Sequence, residues 1–482
     1  MRLVSLILII SLFSTISLAN EILFQSPINL NIEKKNCPFE EFCELYLKDK
    51  DVEEFIKKEI KADYVVVSLD ECLDVALKNN FDIQINEKTY FSSKYLYQNA
   101  LSKFLPVLAT TSYLAEYSGQ ILVGGVLRDN FKETALSVNI TLKHDLTDGG
   151  RQIFEAKAKK YFLKSAKHNL NFSKTKILYL TSKYYYELLC SKIHIQVYLK
   201  NFIERRAQFQ LSEKLYNSQR ATEFDVIRCQ FEMADAKIKL INTLTSFRNS
   251  QVKLANVMGI DVKTSLMPFE DSIKPINLFD DSLDIEVLKK IAIENREDLM
   301  AYKNLIYQEQ EQKKLYMSEF LPHPSIHYQQ QFQGTLKASV RPNYILTAYL
   351  TWNLGENMLV GTVTKMKAKN EEIKRKKIEY ENLAREIESK LIEVKYSSIF
   401  NKKGILSAQD KVGYSAKSSK LAVERFNHSK GILLDVIDAQ NDLTDARIQL
   451  TDSILNYNLS QLGLIYYSGT INLEDIILQY QP

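Results

Sequence analysis

Apolar and polar side chains alternate along short segments of the chain. A period of two that gives one apolar and one polar face predicts a half-buried β-strand. The alternation is clearest from Leu136 to Lys143 and from Leu346 to Asn353, and each of these segments follows a less regular one. The pattern therefore predicts two pairs of strands, at about residues 107–117 and 134–144 and at about residues 324–333 and 344–354.

After each pair of strands, apolar or small residues recur at every seventh position. A heptad repeat of this length predicts long α-helices that pack with a left-handed coil. The segment between Gly149 and Asn217 would form a helix roughly 100 Å long, which is longer than a globular domain requires. The clearest seam consists of Tyr380, Ile387, Val394, Asn401, Ala408, Ser415 and Ala422.

The same order of elements occurs twice, which indicates an internal duplication. The segment SKFLP, which begins at Ser102, matches SEFLP, which begins at Ser318. Further along, ATEFDVIRCQ, which begins at Ala221, matches GILLDVIDAQ, which begins at Gly431. The offset falls only from 216 to 210 residues, so one intervening loop changed length. The predicted units are a first repeat at residues 68–267, a linker at 268–282 and a second repeat at 283–482.

Each repeat opens with a predicted helix, at about residues 68–103 and 283–319. The motif Phe-Leu-Pro ends both helices, because proline disfavours helical geometry at the residue before it. Each repeat then continues with its two strands and a long helical hairpin.

The N-terminal residues predict export from the cytoplasm. An arginine at position 2, an apolar run from Leu3 to Phe13 and the pattern Ser17-Leu18-Ala19 together indicate a signal peptide at residues 1–19. The apolar run is too short to span a bilayer, which disfavours an uncleaved membrane anchor. The mature chain would begin at Asn20, with an N-terminal extension at residues 20–67 that has no counterpart in the repeats.

Composition narrows the function classes. The net charge of +4 is too small to favour nucleic acid as a partner, and only 14 glycines and 9 prolines favour long helices over a loop-rich enzyme. No phosphate-binding glycine loop or His-Glu-x-x-His motif is present, so no catalytic residue, cofactor or enzymatic reaction is predicted.

His323 and His327 have the spacing of a helical metal pair. Pro322 and Pro324 place them in a strand instead, so no metal site is predicted.

The five cysteines do not define a disulfide framework. The sequence leaves open whether Cys37 and Cys43 pair in an oxidising periplasm or remain reduced. Cys72, Cys190 and Cys229 are predicted to be small core residues, and the odd count leaves at least one thiol free.

The predicted strands require a partner for their apolar face. The face either packs on a soluble core or contacts lipid, and the coiled-coil character of the helices favours lipid. A sheet in lipid must close on itself so that no edge hydrogen-bonding group is unsatisfied. Four strands are too few, but three chains would supply about twelve, which is within the range of outer-membrane barrels. Strand counting thus predicts a trimer whose long hairpins extend the barrel into the periplasm.

From about residue 68 to residue 469, the chain resembles the TolC family of outer-membrane efflux and secretion channels. The resemblance rests on the order of elements and on the turn Asp148-Gly149-Gly150-Arg151 before the first long helix. It also rests on the hairpin-tip motif Gly-x-x-x-Asp-Val-x-x-Ala-Gln, present here as Gly431, Asp435, Val436, Ala439 and Gln440. The chain departs from the family pattern at Ala221, where the first tip lacks the glycine, and at Leu354-Gly-Glu-Asn357, which replaces the second Asp-Gly-Gly turn.

The resemblance implies a trimeric channel-tunnel. A twelve-stranded β-barrel would lie in outer-membrane lipid, and an α-helical coiled-coil barrel would cross the periplasm. The implied partners are a periplasmic adaptor (membrane fusion) protein and an inner-membrane transporter, either an RND pump or an ABC transporter as in type I secretion. The implied cargo is drugs, metal ions or polypeptides, and nothing in the sequence selects one of them.

Acidic residues at the hairpin tips form the candidate site. The resemblance implies that Asp435 and Asp438 line a periplasmic constriction and select for cations, because a threefold axis would gather each into a ring of like charges. Asp225 matches Asp435 in the first repeat, and Thr222 before it also predicts a helix-capping role. The candidate polar links between neighbouring hairpins are Asp225, Arg228 and Lys430, and the predicted tip turn is Gly431.

Two other classes of protein remain open at this point. An exported coiled-coil scaffold without a pore would be water-soluble, and the alternating strands disfavour it. A periplasmic adaptor also carries helical hairpins, but an adaptor lacks a twofold internal repeat with strands in both halves.

Overall fold

The computed structural model describes residues 64–123, 126–279, 283–335, 338–352, 357–428 and 430–470. These residues form two long helical hairpins that pack side by side. A four-stranded antiparallel sheet lies at the ends of the hairpins opposite their turns, and shorter helices pack on the hairpins.

The first half of the chain runs from a short strand to a helical hairpin. Its elements are β1 (Val65–Val67), α1 (Leu69–Asn79), α2 (Phe81–Ser102), β2 (Val107–Val123), β3 (Val126–Asp145), α3 (Arg151–Asn217) and α4 (Glu223–Met258).

The second repeat follows a short strand at the start of the linker region and has the same order of helices and strands. Its elements are β4 (Leu266–Pro268), α5 (Ile285–Asn295), α6 (Glu297–Met317), β5 (His323–Thr335), β6 (Ala338–Thr351), α7 (Asn357–Asn427) and α8 (Leu433–Ser468). All four predicted strands are present and extend beyond their predicted bounds at one or both ends, although β6 ends at Thr351, before its predicted end at about residue 354.

Each opening helix, predicted as one, is two helices. Asn80 has an extended backbone and its side chain accepts hydrogen bonds from the amides of Asp82 and Ile83, so it ends α1 and caps α2. Arg296 has nearly the same backbone geometry between α5 and α6. Neither break contains a proline or glycine, so the apolar periodicity alone gave no signal for it.

The turn between β3 and α3 requires its two glycines. Gly149 and Gly150 have φ values of 59° and 84°, a left-handed conformation that side chains disfavour. A Cβ atom on Gly149 would lie 2.8 Å from the carbonyl oxygen of Ser318 in the second repeat. His323, in β5, lies against the same turn, with its Nδ1 atom 2.9 Å from Oδ1 of Asp148.

The sheet has one apolar and one polar face. Its order is β2-β3-β5-β6, and every neighbouring pair is antiparallel. Residues paired across the strands share a face. One row of the apolar face is Leu108, Leu142, Tyr328 and Leu346, whereas one row of the polar face is Thr111, Asn139, Gln331 and Asn343. Leu108 and Leu346 are 68% and 69% exposed, so the single chain leaves the apolar face uncovered.

The first long helix has the length that the sequence predicts, and its counterpart in the second repeat is similar. α3 contains 67 residues and α7 contains 71, which corresponds to roughly 100 Å each. Where α7 packs against the rest of the chain, Ile387 and Ala408 of the predicted seam are buried. Leu391, Ser398 and Ile405, which lie four residues beyond seam positions, are buried as well.

The linker region contacts segments that precede and follow it. β1, at the end of the predicted N-terminal extension, pairs in parallel with β4, whose last residue, Pro268, is the first residue of the predicted linker. Further along the linker, the amide of Ile276 donates to Oδ1 of Asn458 at 2.9 Å, and the amide of Phe279 donates to Oε1 of Gln461 at 2.9 Å. Both acceptors lie on α8, which therefore fixes the path of the linker backbone.

Cys72, Cys190 and Cys229 are free and buried, as predicted. The signal peptide, the possible Cys37–Cys43 pair and residues 354–356 lie outside the described residues. Within the described part of the chain, no helix is both long and apolar enough to cross a membrane.

Candidate functional site

The two hairpin tips have the same backbone structure. The ends of α3 and α7 are offset by 210 residues, and so are the starts of α4 and α8. A 2.8 Å hydrogen bond closes each turn, from the amide of Arg220 to the carbonyl of Leu215 and from the amide of Lys430 to the carbonyl of Arg425. The duplication seen in the sequence thus extends to the hydrogen bonds of the turns.

Asp225 caps the helix of the first tip, as Thr222 predicted. The hydroxyl of Thr222 accepts a hydrogen bond from the amide of Asp225, and the Asp225 carboxylate accepts one from the amide of Thr222 at 2.9 Å. The carboxylate also accepts from the Thr222 hydroxyl at 2.7 Å. These local bonds account for Asp225 without a contact to a neighbouring hairpin.

Asp435 and Asp438 lie at the second tip without such local bonds. Asp435 is in the first turn of α8, and Ile432 at the cap position makes no side-chain bond. Both aspartates are exposed, and among the described residues of the chain neither carboxylate has a hydrogen-bond or ion-pair partner. Their charges are therefore available to ions or to another chain.

Arg228 acts within the chain. It forms an ion pair with Glu232 at 3.2 Å, one turn along α4, and its guanidinium lies over the ring of Phe231. Glu232 is buried, and it also accepts a 3.1 Å hydrogen bond from Nδ2 of Asn441 on α8. Arg228 thus supports a polar link between the two hairpins of one chain, with Glu232 as the bridging residue.

Lys430 and Gly431 form the end of the second turn. The side chain of Lys430 is exposed, and its backbone amide closes the turn. A Cβ atom on Gly431 would lie 3.3 Å from Cβ of Arg425, which is a tight contact. The equivalent residue of the first tip is Ala221, so the turn can accommodate a small side chain.

Both flanks of the single chain are open. The helices of the hairpins contact one another in the order α4, α3, α8, α7, so α4 and α7 lie on the outside. Each outer helix exposes a stripe of apolar side chains, each separated from the next by seven or fourteen residues. These are Phe224, Phe231, Ile238 and Val252 on α4, and Phe400, Tyr414 and Leu421 on α7. The sheet has open flanks too, because β2 and β6 are its edge strands.

Comparison of the whole chain with solved structures identifies the architecture. It matches the outer-membrane channel CmeC of Campylobacter jejuni with a TM-score of 0.72 and 13% identity, over 85% of this chain and 88% of that chain. It matches the outer-membrane protein VceC of Vibrio cholerae with a TM-score of 0.69 and 15% identity, over 83% and 96%. The chain has the outer-membrane channel fold.

A third structure extends the comparison. The open state of the MtrE outer-membrane channel of Neisseria gonorrhoeae matches with a TM-score of 0.66 and 15% identity, over 83% of this chain and 89% of that chain. No protein-family profile and no curated protein sequence matches the chain. The structural matches confirm the predicted resemblance to the TolC family at the level of the fold.

Within this channel fold, sequence reasoning missed a buried arginine behind the second tip. Arg205 on α3 is 1% exposed, and its guanidinium donates to the carbonyl of Ile437 on α8 at 3.1 Å and to Oε1 of Gln208 at 2.6 Å. Gln208 in turn donates to Oε1 of Gln440 at 2.6 Å. Burial lowers the pKa of the Arg205 guanidinium, and the nearby Glu232 opposes that effect.

These contacts fix the first turns of α8, which carry Asp435 and Asp438. The sequence carried one signal for these contacts. Gln440 belongs to the duplicated tip motif, and a polar residue repeated in both copies indicates a hydrogen-bond partner on a neighbouring helix. Arg205 was less visible, because a single arginine in a long helix is usually a solvated residue.

Proposed function

We propose that three copies of this chain assemble into an outer-membrane channel-tunnel that passes substrates from the periplasmic side to the exterior. The main support for the proposal is that both sides of the chain are unpartnered. The sheet has the unpaired edge strands β2 and β6, and the hairpins have exposed apolar stripes on α4 and α7. The solved structures of the same fold are outer-membrane channels rather than enzymes, which supports a transport role.

The edges of the sheet favour closure by further copies of the chain. β2 and β6 carry unpaired backbone groups along one edge each, and lipid offers these groups no hydrogen-bond partner. Pairing β6 of one copy with β2 of the next would satisfy both edges. Three copies would give about twelve strands, with the apolar face toward lipid and the polar face lining the pore.

The helices favour the same assembly. The exposed heptad stripes on α4 and α7 lie on opposite flanks, so α4 of one copy can pack against α7 of the next. Sustained heptads on both partners are typical of coiled-coil packing. Closure of the helices would continue the pore of the sheet as a periplasmic tunnel.

A tunnel that ends in the periplasm requires a source of substrate. We place this channel in a tripartite system, with a periplasmic adaptor that docks on the hairpin tips and an RND or ABC transporter in the inner membrane. The proposal assigns no substrate, because the pump selects it.

Fractionation tests the channel against a pore-free scaffold. We expect the expressed protein to partition with outer membranes and to migrate as a trimer that heating converts to a monomer. Recovery as a water-soluble protein after cell disruption would contradict the channel and favour the scaffold.

At the periplasmic end, we propose that Asp435 and Asp438 form an acidic constriction. Their exposure and lack of partners support this role, because three converging tips would bring six carboxylates together. Such a ring attracts cations and repels anions, since like charges held together require counter-ions.

Conductance across planar bilayers tests the constriction. We expect Asp435→Ala/Asp438→Ala channels to lose most of their cation selectivity and their block by divalent cations. Asp410→Ala, which removes an exposed acid of α7 away from the tip, is the matched control and should conduct as the wild type does. Unchanged selectivity and block in the double variant would rule out the acidic constriction.

A further inference from the structure

Three potential metal ligands converge where the two hairpins pack together. Cys190 and His194 lie one turn apart on α3, and Asp452 lies opposite them on α8. The Sγ atom of Cys190 is 3.5 Å from Nε2 of His194 and 3.6 Å from Oδ1 of Asp452. The same Nε2 atom is 3.2 Å from Oδ1 of Asp452. Within the described residues, these three groups lie close enough to share one ion.

We propose that Cys190, His194 and Asp452 bind a zinc ion that bridges α3 and α8. Tetrahedral zinc with ligand bonds of about 2.0–2.3 Å places neighbouring ligand atoms about 3.3–3.6 Å apart. The three observed separations, 3.5, 3.6 and 3.2 Å, are close to this range. An ion can therefore enter with little movement of the side chains.

The ligand chemistry favours zinc over magnesium or calcium. Sulfur and imidazole nitrogen suit zinc and similar transition metals, whereas magnesium and calcium prefer oxygen ligands alone. Cys190 is buried, but the side chains of His194 and Asp452 are 19% and 48% exposed. The exposed side leaves an entry path and room for water as the fourth ligand.

The geometry disfavours a catalytic role for the same three residues. In a nucleophile–histidine–acid relay, the two ring nitrogens contact different partners. Here the single Nε2 atom of His194 lies near both the sulfur and the carboxylate. Three groups that converge on a common point are instead typical of ligands of one ion.

Without metal, the cluster is held by a thiol hydrogen bond. Burial, followed by the carboxylate of Asp452, raises the pKa of the Cys190 thiol. Zinc binding must release the proton of this thiol, because the thiolate is the ligand.

The zinc site is separate from the acidic tip. Asp452 is 17 residues beyond Asp435 on α8, which corresponds to about 25 Å along the helix. Variants of the two sites can therefore be combined without direct contact between them. An ion at the zinc site would link the hairpins in their packed position.

Zinc binding by the purified full-length protein tests the site. The tip acids and the N-terminal cysteines are first removed in an Asp435→Ala/Asp438→Ala/Cys37→Ser/Cys43→Ser background. We expect equilibrium dialysis to give one zinc ion per chain. Cys190→Ser and His194→Ala should each weaken binding by more than about tenfold.

Matched cysteines and a second metal complete the experiment. Cys229→Ser and Cys72→Ser replace other buried thiols and should leave zinc binding unchanged. Cobalt should give a thiolate charge-transfer absorption that Cys190→Ser abolishes and Cys229→Ser retains. Circular dichroism and the heat-sensitive oligomer band verify that each variant is folded. Absent zinc binding, or binding that folded Cys190→Ser and His194→Ala retain, would overturn the proposal.

Discussion

Arg205 provides the most direct test of how the second tip is held. In Arg205→Ala, the carbonyl of Ile437 and the Oε1 atom of Gln208 both lose a charged donor, at 3.1 and 2.6 Å respectively. The first turns of α8 then depend on the Gln208–Gln440 bond and on apolar packing.

The expected loss of stability in Arg205→Ala follows from the two lost hydrogen bonds and from the burial of the charge. Hydrogen bonds from a charged donor contribute about 1.5–3 kcal/mol each. Burial of the guanidinium, which lowers the pKa of Arg205, offsets part of this sum. We expect the free energy of local opening to fall by about 2–4 kcal/mol, which corresponds to roughly 30- to 700-fold faster amide exchange.

Hydrogen–deuterium exchange of peptides that cover residues 433–441 measures this opening directly. Arg205→Met restores most of the lost volume, so exchange that stays fast in this variant assigns the effect to hydrogen bonding rather than to a cavity. Arg385→Ala is the control, because Arg385 is exposed on α7. Equal exchange in Arg205→Ala and Arg385→Ala would refute the role given to Arg205.

Two further predictions concern the turn and the sheet. Gly149→Ala should lower the yield of folded protein, because its Cβ would lie 2.8 Å from the carbonyl oxygen of Ser318 and the backbone φ is 59°. Gly404→Ala is the control, because Gly404 has open space beside it in the helix α7. This variant should raise the free energy of unfolding by about 0.5–1 kcal/mol. Thermal melts of both variants decide this, and equal effects would contradict it. Leu346→Arg places a charge on the exposed apolar face and should destabilise the sheet in lipid by about 2–4 kcal/mol per chain. We expect this variant to reduce the amount of assembled trimer in outer-membrane fractions. Asn343→Arg, on the polar face, should leave that amount unchanged. Equal trimer yield from these two variants would contradict the assignment of the faces.

Local periodicity made much of this fold predictable. Alternation over a few residues identified β3 and β6 most clearly, because side chains in a strand point to opposite faces in turn, and each of the two less regular segments before them is also a strand. The heptads identified the long helical hairpins, and the repeated DVI segment located both tips. At the first tip, Thr222 and Asp225 identified the capping box, since its partners lie three residues apart.

Contacts between distant segments were not predictable in the same way. The breaks at Asn80 and Arg296 lack the usual glycine or proline, and the pairing of β1 with β4 joins segments about 200 residues apart. The burial of Arg205 depends on α8, which follows it by more than 200 residues, and the approach of Asp452 to Cys190 depends on the same packing. The spacing of residues along a single helix does not predict which residues of a distant helix will lie next to it.

The central claim is that copies of this chain enclose a pore, and single-channel recording of the purified trimer in planar bilayers tests it most directly. We predict stable, discrete conductance steps that favour cations over anions. Insertion of the intact trimer into the bilayer without any conductance, even after the acids at Asp435 and Asp438 are removed, would contradict the claim.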